Sequence, residues 1–266
     1  MAKKNEVAVT KKDEFNLVTL SGDIAEAVAE EMDGLGTIPF DRVKIPSGGG
    51  LVFEIPGEDG EDPDTEKELI GVILYHHPVN AYWAEKFSGG NEAPDCASMD
   101  GKTGVNRETG EVRDCASCPF NQFGSDGAGK ACKNVHRLYF LREDNPVPII
   151  ISLPPTSLKY MKNYIGKSIL LKGMRSYEAI TKITLKKEKS SGGIDYSRAV
   201  FAYVGKLNPG QIEAAKAMAE MLKDRKDDID VDDSDYNTAP AADAPQTDAD
   251  GFMKVPETVE NLPFGS

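Results

Sequence analysis

From Ser88 to Cys132 the chain is dominated by turn formers, and neither helical nor strand periodicity is visible. So long an irregular stretch within a folded domain needs some other organiser. All four cysteines of the chain lie in it: Cys96, Cys115, Cys118 and Cys132, spaced C-x18-C-x2-C-x13-C. A C-x-x-C turn lets two thiolates reach one tetrahedral ion at about 2.3 Å each, and two distant cysteines can complete the set. The tetrapeptide Asp-Cys-Ala-Ser occurs twice, at 95–98 and 114–117, but only the second copy continues to a further cysteine, Cys118. A structural Zn2+ would give this Gly-, Asn- and Asp-rich segment its order. His136, four residues beyond Cys132, is the alternative to Cys96 as fourth ligand. Four protein ligands leave no open position for water, so the site reads as structural. Redox chemistry of the C-x-x-C would need a βαβ context, which the pattern lacks.

The rest of the composition narrows the class. No apolar run approaches the length of a membrane span, and Met1–Glu6 leads into no apolar core, so neither an integral membrane protein nor a secretory leader is expected. Four cysteines in a chain of 266 residues do not make a disulfide scaffold. The net charge of -13 is unevenly distributed. Residues 1–100 hold 8 basic and 21 acidic side chains, residues 130–206 hold 15 and 5, and residues 227–266 hold 1 and 11. A basic segment in an acidic protein is a candidate footprint for a polyanion. Lysines that merely protect strand edges would give the same count.

Along the chain, 1–20 reads as a flexible leader and Ser21 as the cap of a helix over Asp23–Met32. Strands are expected over Leu51–Ile55, Leu69–His76, Arg137–Arg142, Pro148–Leu153, Ile169–Tyr177, Ile180–Lys187 and Ala199–Val204. A short helix follows Thr156 and stops at Gly166, and an amphipathic helix covers 209–226. This order, a helix between the third and fourth strands of a β-rich core, predicts a mainly β, α+β fold resembling an OB-fold barrel. Other α+β sheets share the order. The domain would span 21–226, with a zinc-binding insertion over 88–135 and a disordered acidic tail over 227–266.

Some motifs point elsewhere. Gly124 to Lys130 matches the G-x4-G-K half of a phosphate loop, but position 131 is Ala and no strand precedes it, so a turn within the insertion is the better reading. His76-His77 reads as a strand end, and Trp83 as a core or interface residue. No nucleophile elbow, H-E-x-x-H or Rossmann fingerprint is present, so a non-enzymatic protein is expected.

The basic β-rich segment, the cysteine insertion and the acidic tail ending Glu260-Asn261-Leu262-Pro263-Phe264 together resemble single-stranded DNA-binding proteins, particularly phage-type ones. The tail tip is similar to the Asp-Asp-Ile-Pro-Phe end of bacterial members, here followed by Gly265 and Ser266. The resemblance implies an OB-fold core, a tail that recruits replication or recombination proteins through Leu262, Pro263 and Phe264, and a place in the bacterial cytoplasm, phage-encoded or not. Single strands are held by a cationic groove and by aromatic faces under the bases. The expected contacts are Lys133, Arg137, Tyr139, Lys172, Arg175, Tyr177, Lys182, Lys186, Arg198 and Tyr203. Two other readings compete. One is a zinc-stabilised interaction or transcription factor, conceivably a DNA mimic. The other is a nuclease using carboxylates of 54–68.

Overall fold

The computed structural model describes residues 15–17, 30, 33, 40–57, 62–85, 93–127, 129–143, 145–190, 192–229 and 231. The helix expected over Asp23–Met32 lies almost wholly outside these residues, as does the tail tip.

The centre is one mixed sheet. Its long strand β4 (Glu68–Tyr82) pairs antiparallel with β8 (Lys133–Arg142) along one edge, and β8 pairs with β9 (Ile149–Leu153). The strand β1 (Arg42–Lys44) adds parallel to β9. On its other edge β4 pairs with β10 (Ala179–Lys189), which pairs with β11 (Asp195–Lys206). A separate hairpin joins β2 (Phe53–Ile55) and β3 (Asp64–Glu66). The strand reading of these segments matches the structure, and β4 runs six residues further than expected, so His76 and His77 sit inside it.

Period-two alternation gives the sheet two apolar faces. Ile73, Leu138, Phe140, Ile149 and Ile151 pack on one side with Met161 and Tyr164 of helix α1 (Pro155–Tyr164). Val72, Leu74, Tyr139, Leu141 and Ile150 pack on the other with Ala215, Met218 and Leu222 of helix α2 (Pro209–Asp224). Asn208 caps α2 by accepting the Gln211 amide at 2.9 Å, with Pro209 at its first position.

The sheet curls until Ser47, just past β1, bridges Tyr196 of β11, and the Ser197 hydroxyl donates to the Gly50 carbonyl at 2.7 Å. Among the described residues that isolated bridge is the only pairing between these two edges, and no closed barrel forms. The architecture is therefore a mainly β, α+β fold with a mixed sheet and two helices.

Three expectations need correction. The segment Ile169–Tyr177 is no strand: α1 runs past Gly166 into a π-turn (Ile165–Ile169) and a 3-10 turn (Leu170–Lys172). The chain reverses at Gly173, whose φ of 70° is the left-handed geometry that ends helices. The insertion is not irregular, since β5 (Cys96–Ser98), β6 (Thr103–Asn106) and β7 (Val112–Asp114) extend the sheet from the far end of β4. The ordered domain also outruns both its expected limits. Leu17, Ile229 and Val231 are buried, and the Gln211 side chain donates to the Phe15 carbonyl at 2.8 Å. No helix among the described residues is long and apolar enough to cross a membrane.

Candidate nucleic-acid interface and cysteine centre

Short strands and turns carry the four cysteines to one place. Cys96 opens β5 opposite Tyr82, and Cys115 follows β7, its amide bonded to the Lys102 carbonyl at 2.7 Å. The Asp114 carboxylate accepts from the Ser117 amide and hydroxyl, fixing the Cys115–Cys118 turn. The Cys132 amide donates to Phe120, whose ring stacks on Tyr82 at 4.3 Å and ties the insertion to β4. All four cysteines line one cavity of about 20 Å³, room for a single small occupant. Gly104 keeps it open, because a Cβ there would stand 3.0 Å from the Cys96 Sγ and 3.5 Å from the Cys115 Sγ.

Burial and the neighbouring thiols push Cys132 up to about 12, and the same two causes raise Cys96. As the side chains stand, no group of three or more His, Cys, Asp or Glu among the described residues is arranged to hold a metal ion. The donor set nevertheless suits zinc: four sulfurs around one small cavity, each a better ligand once deprotonated. His136 is not among the residues that line this cavity. Its Nε2 lies 2.8 Å from His76 Nδ1 on the neighbouring strand.

The expected DNA contacts separate into three groups and a single residue, Lys133, that stands apart. Arg137 and Tyr139 do share a face, as alternation requires, but that face is covered by α2 and both residues are fully buried. Tyr139 clusters with Tyr75 and His77, the three ring centres 5.5–6.0 Å apart, and the Arg137 guanidinium donates to the Ile229 carbonyl at 3.4 Å. Neither reaches solvent, which corrects both assignments. On the outer face of the β10–β11 ribbon, Lys182 pairs with Glu68 at 3.3 Å, Lys186 with Glu188 at 4.0 Å and Arg198 with Glu188 at 2.6 Å. That ribbon is much less cationic than its sequence suggests. The remaining residues flank the turns after α1. Lys172 stands 3.7 Å over the Tyr203 ring, Arg175 is exposed, and Tyr177 is half-buried against the α2 cluster.

Lys133 marks a site that the other nine candidates do not share. It borders a groove of about 520 Å³ between the insertion and the sheet, with Lys44 of β1, Phe123 and Lys130 of the insertion, and Pro155 and Leu158 of α1. Phe123 is 81% exposed, and the Lys130 ammonium lies 5.1 Å from its ring centre. Lys133 itself pairs with Asp126 at 3.2 Å. Sequence reading passed over Phe123, Lys130 and Lys44; the available signal was an aromatic and a lysine both placed between two cysteines. The G-x4-G-K segment is no phosphate cradle, since the amides of Gly124, Ser125, Asp126 and Gly129 all donate to carbonyls of the same loop. Compared with protein families, curated proteins and solved structures, the chain matches none.

Proposed function

We propose that the protein binds single-stranded DNA and is not an enzyme. The observation that carries this reading is the groove: an exposed aromatic face, Phe123, with the Lys130 ammonium 5.1 Å from its ring centre and with Lys44 and the Asp126-paired Lys133 lining the same groove. A base stacks on such a face while lysines hold the flanking phosphates, and duplex bases, already stacked, have no face to offer. Phe123 and Lys130 belong to the loop between Cys118 and Cys132, so Zn2+ held by Cys96, Cys115, Cys118 and Cys132 would act as the structural support of the groove. Cys132 borders both the cysteine cavity and the groove.

The acidic tail is the second working part of this reading, with 11 acidic side chains against 1 basic over 227–266. Leu262, Pro263 and Phe264 at its tip would recruit replication or recombination proteins, as the resemblance to phage-type single-stranded DNA-binding proteins implies. The matching cellular setting is the bacterial cytoplasm.

Photocrosslinking with oligo-dT carrying a halogenated uracil, read by mass spectrometry, tests the placement. Adducts on the segment 119–135 are the expected result. Failure of the protein to retain the strand, or adducts confined to the β10–β11 ribbon, would overturn it.

A further inference from the structure

We propose that the bound strand does not end in the groove but continues along α1, over a stripe of lysines, to a second aromatic platform where that helix meets β11. This extends the single-stranded DNA reading and rests on it. From residue 145 to residue 177 the chain contains no Asp or Glu, while Lys159, Lys162, Lys167, Lys172 and Arg175 fall within that run. Elsewhere in the basic half most cations are compensated: Lys133, Arg142, Lys182, Lys186, Lys187 and Arg198 each have a carboxylate within 4.0 Å. Among the described residues no such pair involves Lys159, Lys162, Lys167 or Lys172. Uncompensated positive charge therefore gathers on and just after α1.

Helical geometry makes that charge a track. Pro155, Thr156, Lys159, Lys162, Asn163 and Lys167 are exposed, and steps of three or four residues put neighbours on one side of a helix. The π-turn after α1 brings Lys167 onto the end of the stripe. Pro155 and Leu158, in the first turn of α1, line the Phe123 groove. Towards the C-terminal end of α1, Asn163 and Lys167 line a second groove of about 250 Å³ with Tyr160, Ser168 and Arg198.

That second groove holds the other half of the chemistry. The Arg198 guanidinium lies 3.8 Å over the Tyr160 ring, and beyond it Lys172 covers Tyr203 at 3.7 Å. Each pair offers a plane for an unstacked base. Glu188 holds Arg198 at 2.6 Å and accepts from the Tyr160 hydroxyl at 3.5 Å, so the free charge at this end is that of Lys167 and Lys172. Phosphates would lie along Lys159 and Lys162, with bases on Phe123 at one end and on the Tyr160–Arg198 plane at the other.

The test compares wild type, the triple variant Lys159→Gln/Lys162→Gln/Lys167→Gln and Phe123→Ala by anisotropy of oligo-dT of increasing length across a salt series. The lysines are exposed, and an unchanged thermal midpoint confirms that the variant is folded. Each lost phosphate contact lowers the salt slope by about 0.7 for a single strand, so the triple variant should lose about 2 in slope. It should also lose the affinity that wild type gains on longer oligonucleotides, while keeping binding to the shortest. If wild type binds and Phe123→Ala weakens it, but the triple variant keeps the full slope and length dependence, the track is refuted and the groove stands. If wild type binds no single strand, the function itself fails.

Discussion

Lys130 holds its ammonium 5.1 Å from the centre of the Phe123 ring, and both residues stand in the loop that Cys118 and Cys132 delimit. The loop that carries Phe123 is thus tied to the cysteine cavity rather than to the hydrophobic core. Phe123→Ala should lower affinity for oligo-dT by about 1–3 kcal/mol, roughly 5- to 150-fold. Phe123→Trp should preserve it. Since the ring is 81% exposed, the melting temperature should not move. Equal affinities of wild type and Phe123→Ala in a titration would remove this residue from the interface.

The cysteine centre predicts one zinc per chain, measured by plasma mass spectrometry on protein purified without chelator. Gly104→Ala keeps all four thiols but puts a methyl 3.0 Å from the Cys96 Sγ, so it should weaken zinc retention without removing a ligand. Chelation should open 93–132, with β5 to β7, to proteolysis and leave β4, β8 to β11 and α2 intact, because those are held by their own apolar clusters. Metal-free protein with a protease-resistant insertion would contradict the assignment.

Much of the sheet was legible because β8 to β11 and α2 follow simple periodicities. What alternation could not reveal was which face meets water. Arg137 and Tyr139 were correctly put on one side of β8, but both sides of that strand are covered, so neither is a surface residue. The three strands of the insertion escaped notice because each is only three or four residues long, with too few positions to alternate. Gly166 suggested a helix end, yet the chain stays helical through it and turns at Gly173, where φ becomes positive. Charge counted along the sequence points to residues 130–206 as a whole, and only the fold shows that Glu68 and Glu188 pair with Lys182 and Arg198 in its β10–β11 part.

Burial of Arg137 implies a structural role. Arg137→Ala removes its donor to the Ile229 carbonyl and should cost about 1–3 kcal/mol in urea unfolding. The variant should bind oligo-dT like wild type once corrected for folded fraction. A large affinity loss in stable, folded protein would return Arg137 to the interface.

Acid should destabilise the fold through His77. Burial, and then the Arg137 charge, hold its imidazole down at about 4, against an ordinary value of 6.5. Above pH 6.5 the ring is neutral in both states and its contribution to stability is complete. As pH falls from 6.5 to 4 the unfolded chain takes up a proton that the native state refuses. At pH 5 that should cost about 2 kcal/mol relative to pH 7. His136, lowered in the same direction to about 4, steepens the loss. Urea unfolding at both pH values checks this, and His77→Gln should show the shallower dependence.

The central claim, binding of single-stranded DNA, meets its most direct test in the anisotropy of labelled poly-dT beside a duplex of equal length, titrated with wild-type protein across a salt series. The account predicts tighter binding to the single strand and a log affinity that falls linearly with log salt. Absence of binding at low salt, both with the tail and with residues 232–266 removed, or equal affinity for the duplex, would contradict it.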